Sequence, residues 1–137
     1  MGTPLYMAPE QATGRKELDG RSDLYSLGAV AYYLLTGRPP FDGQDGIGVM
    51  IAHARDPVVP PSRGRADVPE DLERVVLRCL AKDPADRFPD AEGLEHALAE
   101  CACAGDWDRC RAAGWWQHAD TGDREPRRPQ RRLMSDC

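Results

Sequence analysis

Between Ser22 and Gly37 lies the stretch that most restricts how this chain can fold. From Leu24 to Leu35 nearly every residue is apolar or small. A helix that is hydrophobic all round is a buried one, because it keeps no polar stripe for solvent. The run is too short to cross a bilayer, which takes about 20 apolar residues. Ser22 reads as the N-cap and Asp23 as a first-turn carboxylate on the positive end of the helix dipole. Gly37 supplies the stop, and Pro39-Pro40 forbid continuation. A central buried helix demands covers, so the remaining segments must supply apolar faces.

Those segments read as further helices. Residues 1–8 form an extended loop, and Pro9 opens a short helix with Glu10 in its first turn. Residues 13–21 are polar and read as loop. A helix over about Ile47 to Arg55 turns Ile47, Met50, Ile51 and Ala54 to one face. After a proline-rich loop, Pro69-Glu70-Asp71 starts a helix with the stripe Leu72, Val75, Val76, Cys79 and Leu80, ended by Pro84. Pro89-Asp90 starts another, with Ala91, Leu94, Ala97, Leu98 and Cys101 inward. Trp107 to Trp116 gives a final short helix. No two segments alternate like paired strands, so the fold class is mainly α.

The 137 residues suit one ordered domain. Net charge is -5, and no basic surface calls for nucleic acid. No signal-peptide pattern and no membrane span stand out, which predicts a cytoplasmic protein. The five cysteines then read as free thiols. Cys101-Ala102-Cys103 lacks the C-x(2–4)-C spacing of structural zinc, so no metal site is expected. From His118 onward, arginines interleave with prolines, as in a disordered tail.

Four blocks carry a family resemblance. Gly2-Thr3-Pro4-Leu5-Tyr6-Met7-Ala8-Pro9-Glu10 resembles the end of the activation segment of serine/threonine protein kinases, which closes on Ala-Pro-Glu. Ser22-Asp23-Leu24-Tyr25-Ser26-Leu27-Gly28 is similar to the start of that family's central large-lobe helix, and Leu35 to Phe41 to its exit. Cys79 to Phe88 is similar to the penultimate turn, with its arginine. All four stand in the family's order, nearest to bacterial kinases of the eukaryotic-like type. The resemblance implies the helical second half of a kinase large lobe over residues 1–117, followed by an Arg/Pro-rich tail over 118–137.

It also implies roles. Gly2, Thr3, Pro4, Leu5 and Tyr6 correspond to the loop that receives the residue after the phosphoacceptor. Ala8, Pro9 and Glu10 end the segment, and Glu10 and Arg87 correspond to the family's buried ion pair. Asp23 corresponds to the aspartate that accepts hydrogen bonds from the catalytic-loop backbone. The helix from Ile47 resembles the substrate-docking helix.

The chemistry of phosphoryl transfer needs more than this. It takes a glycine-rich loop, a strand lysine, a proton-accepting Asp, and Asp and Asn to hold magnesium. The chain has no Asn, no Asp-Phe-Gly and no G-x-G-x-x-G. His53-Ala54-Arg55-Asp56 imitates the catalytic His-Arg-Asp, but Ala54 intervenes and Pro61 stands where the magnesium-holding Asn belongs. No catalytic, cofactor-binding or metal residue is therefore assigned. ATP and magnesium belong to the parent family's activity. The expectation is a kinase fragment inactive by itself, whose partners are protein substrates or a missing N-terminal kinase half. The alternative is a non-catalytic substrate- or partner-binding module, or half of a split kinase. With its usual covers upstream, the helix from Leu24 to Leu35 is expected to be partly exposed.

Overall fold

The computed structural model describes residues 4–119. Met1, Gly2, Thr3 and residues 120–137 lie outside them, and so do the expectations placed on those residues. The described residues divide into two units, with the boundary between Ala102 and Cys103.

In the first unit a 3-10 turn, Pro4–Tyr6, leads into α1, Pro9–Ala12. There follow α2 (Gly20–Thr36), α3 (Gly46–Arg55), α4 (Glu70–Cys79) and α5 (Ala91–Ala99). Further 3-10 turns form at Pro61–Arg63 and Pro84–Asp86. No strand occurs among the described residues. In the second unit α6 runs Arg109–Ala119, with the Trp115 and Trp116 rings edge to face at 4.7 Å. His118 and Ala119, expected in the tail, belong to this helix.

The core forms on two sides of α2. Tyr25, Ala29 and Tyr32 pack with Ala8, Val76 and Leu80. Leu24 packs with Cys79, Phe88 and Leu94. The two helices approach so closely that a Cβ on Gly28 would stand 2.6 Å from Cys79 Cβ. Gly37 ends α2 at φ +76°, a conformation costly to any residue with a side chain, and its N–H donates to the Tyr33 carbonyl at 2.7 Å.

Three expectations need correction. Asp19, not Ser22, caps α2, accepting the Arg21 N–H at 2.9 Å; the Ser22 hydroxyl is taken by a buried carboxylate. On α3 the buried residues are Val49 and His53, while Ile47 and Ile51 are 67% and 51% exposed. The side chain buried at the end of α3 is His53, whose two ring nitrogens both find partners, not an aliphatic residue. On α5 Leu94 is buried, but Ala91 and Leu98 face solvent.

α2 is also not covered all round. Leu27, Val30 and Leu34 are 51%, 40% and 75% exposed. With the exposed Asp23 they recur at helical spacing and make one continuous face. This is the partial exposure expected of the run. Among the described residues no helix is long and apolar enough to cross a membrane.

Candidate functional site

The site is built where the N-terminal segment meets α2, α3 and the turn after α4. Ala8 is the N-cap of α1, and its N–H donates to the Gln11 side chain at 3.0 Å. Pro9, at the first helical position, sacrifices no hydrogen bond there. This short helix points Glu10 inward, where it is 4% exposed.

Arg87 arrives from 77 residues away and meets it in a bidentate pair, Nη1 to Oε1 at 2.7 Å and Nη2 to Oε2 at 2.9 Å. The remaining guanidinium hydrogens go to backbone carbonyls. Nε donates to Ala81 at 2.8 Å, Nη1 to Arg21 at 2.9 Å and Nη2 to Lys82 at 3.2 Å. Arginine has five N–H donors, and each is used here. Its guanidinium also stacks over the Tyr25 ring, 4.9 Å from the centroid. Ser22 completes the carboxylate's shell, its hydroxyl donating to Oε1 at 2.6 Å. Burial by itself raises the Glu10 carboxyl, but the hydrogen bonds from Arg87 and Ser22 and the guanidinium charge outweigh it and hold the group at about 2.

The segment just before this anchor is held by its carbonyls. Ser26 Oγ donates to the Tyr6 carbonyl at 2.7 Å. His53 Nε2 lies 3.0 Å from the Leu5 carbonyl, and Nδ1 lies 2.7 Å from the Tyr25 hydroxyl. A carbonyl only accepts, so Nε2 carries a proton; with the ring otherwise unprotonated, Nδ1 accepts from the Tyr25 hydroxyl. Burial pushes both the His53 imidazolium down and the Tyr25 phenol up, which keeps the pair uncharged. The His53 ring is fully buried, edge-on to Phe41 at 5.0 Å and to Tyr25 at 5.6 Å. Lys82 closes the end of α3, donating to the carbonyls of His53 at 2.8 Å and Ala52 at 3.4 Å, with its ammonium over the Phe41 ring at 4.4 Å.

Of the residues marked from the sequence, the structure brings together Ala8, Pro9, Glu10 and Arg87, with Pro4, Leu5 and Tyr6 beside them. Asp23 stands apart, exposed in the first turn of α2. Gly2 and Thr3 lie outside the described residues. Tyr25, Ser26, His53 and Lys82 were not marked. Ser22 and Ser26, one turn apart, were the available signal for a polar edge on an otherwise apolar helix.

An open cavity of about 550 Å³ flanks the pair, lined by Arg15, Lys16 and Arg21 but equally by Glu17, Asp19 and Asp83. That balance of charge gives it no pull on a phosphate. Among the described residues no cluster of three His, Cys, Asp or Glu could hold a metal ion. Cys110 is disulfide-bonded, a departure from thiols throughout. The imitation catalytic loop is no such thing in space: His53 to Arg55 are the last turn of α3, and Asp56 follows as its C-cap.

Comparison with known proteins agrees with the geometry. The protein kinase domain model matches residues 1–99. The serine/threonine-protein kinase PknB of Mycolicibacterium smegmatis is 50% identical over 98 residues, 72% of this chain and 16% of that protein. The serine/threonine-protein kinase Pkn1 of Myxococcus xanthus is 49% identical over 98 residues, 72% of this chain and 14% of its own length. PknB of Mycobacterium leprae is 46% identical over a stretch of the same size. The chain thus spans about a sixth of the length of these curated relatives. The match runs through the Ala-Pro-Glu segment, the central helix and the arginine turn whose contacts are described above, and the chain belongs to the protein kinase domain family.

Proposed function

We propose that this chain is the substrate-receiving part of a serine/threonine protein kinase and transfers no phosphate by itself. The parent activity is ATP- and magnesium-dependent phosphorylation of protein Ser and Thr hydroxyls, with the kinase portion in the N-terminal part of this chain, in a cytoplasmic protein. Gly2 to Tyr6 receive the substrate residue after the phosphoacceptor. The observation that supports this reading best is the buried Glu10–Arg87 pair, which ties the helix after that segment to the turn between α4 and α5. Phosphoryl transfer is mostly positioning and charge neutralisation, and the 137 residues hold no Asn and no glycine-rich loop to supply them.

A second reading is favoured by the exposed face of α2, where Asp23, Leu27, Val30 and Leu34 stand in line. An apolar face of this kind marks a contact surface. It suits docking of the nucleotide-binding half of a kinase, whether in the same polypeptide or in another chain. The test is an assay with radiolabelled ATP and a generic basic protein substrate, beside equilibrium ATP binding with magnesium. No binding and no transfer support the proposal. Stoichiometric ATP binding or transfer by the purified chain refutes it. Recovery of transfer on adding a kinase N-terminal half supports the second reading.

A further inference from the structure

We propose that His53 is a positioning residue that sets the geometry of the segment Pro4–Tyr6, through its neutral Nε2–H tautomer, with Tyr25 fixing that tautomer. The inference rests on the substrate-receiving role of that segment given above, and it adds a residue that the role itself does not name.

The segment has few means of holding its shape. It is a single 3-10 turn, in which the Met7 N–H reaches back to the Pro4 carbonyl at 3.3 Å. Short turns of this kind have poor hydrogen-bond geometry and borrow their stability from surroundings. Here two neighbouring carbonyls are gripped from two different helices, Leu5 by His53 on α3 and Tyr6 by Ser26 on α2. The His53 grip is directional. Its ring is held between Phe41 and Tyr25, and its far nitrogen is engaged by the Tyr25 hydroxyl. The Lys82 ammonium fixes the backbone at the same residue. A ring so restrained cannot turn to follow the loop, so the loop must conform to the ring. The arrangement is that of a residue held by outer contacts so that it orients an inner one.

The experiment compares the whole chain carrying His53→Phe or His53→Gln with the wild type. Phe keeps the ring packing and removes the N–H; Gln keeps an N–H at the reach of Nε2 and gives up the ring. The Met7 amide in His53→Phe should exchange with solvent about five- to tenfold faster, the worth of one hydrogen bond, with Val76 on α4 unchanged. His53→Gln should stay near the wild type. Nitrogen-15 spectra of the wild type at pH 7 should show a neutral Nε2–H imidazole. An unaltered Met7 rate in folded His53→Phe overturns the inference, and so does an Nδ1–H or charged ring in the wild type. Should His53→Phe fail to fold, the spectrum and the Gln variant decide. Titration with a serine-containing peptide separates the two proposals. Shifts at Tyr6 and Met7 weakened about fivefold in His53→Phe but not in His53→Gln support the positioning role. Wild-type binding that His53→Phe leaves intact overturns it. Absence of wild-type binding refutes the substrate-receiving role, while the exchange rates still judge the histidine contact.

Discussion

Replacing Arg87 by Ala strands a carboxylate that is 4% exposed and leaves three backbone carbonyls without their donor. Breaking a buried pair from one side costs about 3–5 kcal/mol, because the surviving charge stays desolvated. A domain of this size has on the order of 5–15 kcal/mol in total. With a urea slope of about 2 kcal/mol per molar, the midpoint should fall by roughly 2 M at pH 7. The loss should also be pH-dependent. Glu10 is depressed from 4.5 to about 2 in the folded chain. A depressed acid contributes stability that is full above the unfolded value and disappears as pH falls through the folded one. That gap corresponds to roughly 3 kcal/mol, present above pH 4.5 and gone near pH 2. The wild type should therefore weaken across that window, and Arg87→Ala should lose less there, since its Glu10 is already neutral at higher pH. In a cycle with Glu10→Gln, the double variant should lose much less than the sum of the singles. An unchanged urea midpoint in Arg87→Ala, or additive losses, would refute the reasoning.

Gly28→Ala should lower stability by about 1–3 kcal/mol in thermal unfolding, because the added methyl collides with Cys79 on α4; a neutral result would mean the helices separate at little cost. Gly37→Ala should cost about 1 kcal/mol for forcing a side chain into φ +76°, checked by the same melts. Leu34→Lys, on a residue 75% exposed, should change stability by no more than about 0.5 kcal/mol while reducing binding of a hydrophobic dye. A large destabilisation would mean that this face of α2 is covered.

What could be read beforehand followed the range of the signal. The central helix, its glycine stop and the stripe of α4 are written locally, in residue type and spacing, and the structure places Val76, Cys79 and Leu80 inward. The cap of α2 was misplaced because Ser22 and Asp19 are both good N-caps by type. Only the presence of Glu10 across the core, 12 residues away, decides which side chain is diverted. The orientation of α3 failed for a related reason. Periodicity ranks Ile47 and Ile51 above His53, whereas the fold ranks by partners, and His53 has a hydroxyl and a carbonyl waiting for its two nitrogens. No pattern in α3 alone could announce a tyrosine 28 residues earlier.

The two buried polar clusters share one economy of design. Each takes a segment too short to fold alone, α1 or the turn before it, and fixes it by groups whose hydrogen-bonding capacity is used up: all five donors of Arg87 in one case, both ring nitrogens of His53 in the other. Apolar packing could bury these segments, but it would not set their direction, since it is indifferent to rotation. Hydrogen bonds from rigid, fully engaged side chains do set it, and they penalise any other arrangement by leaving buried groups unmet. Tyr25 belongs to both, under the guanidinium and against the imidazole. One aromatic residue on the central helix therefore couples the anchor of the segment to its carbonyl grip, and a change at Tyr25 must be felt at Glu10 and at Leu5 together.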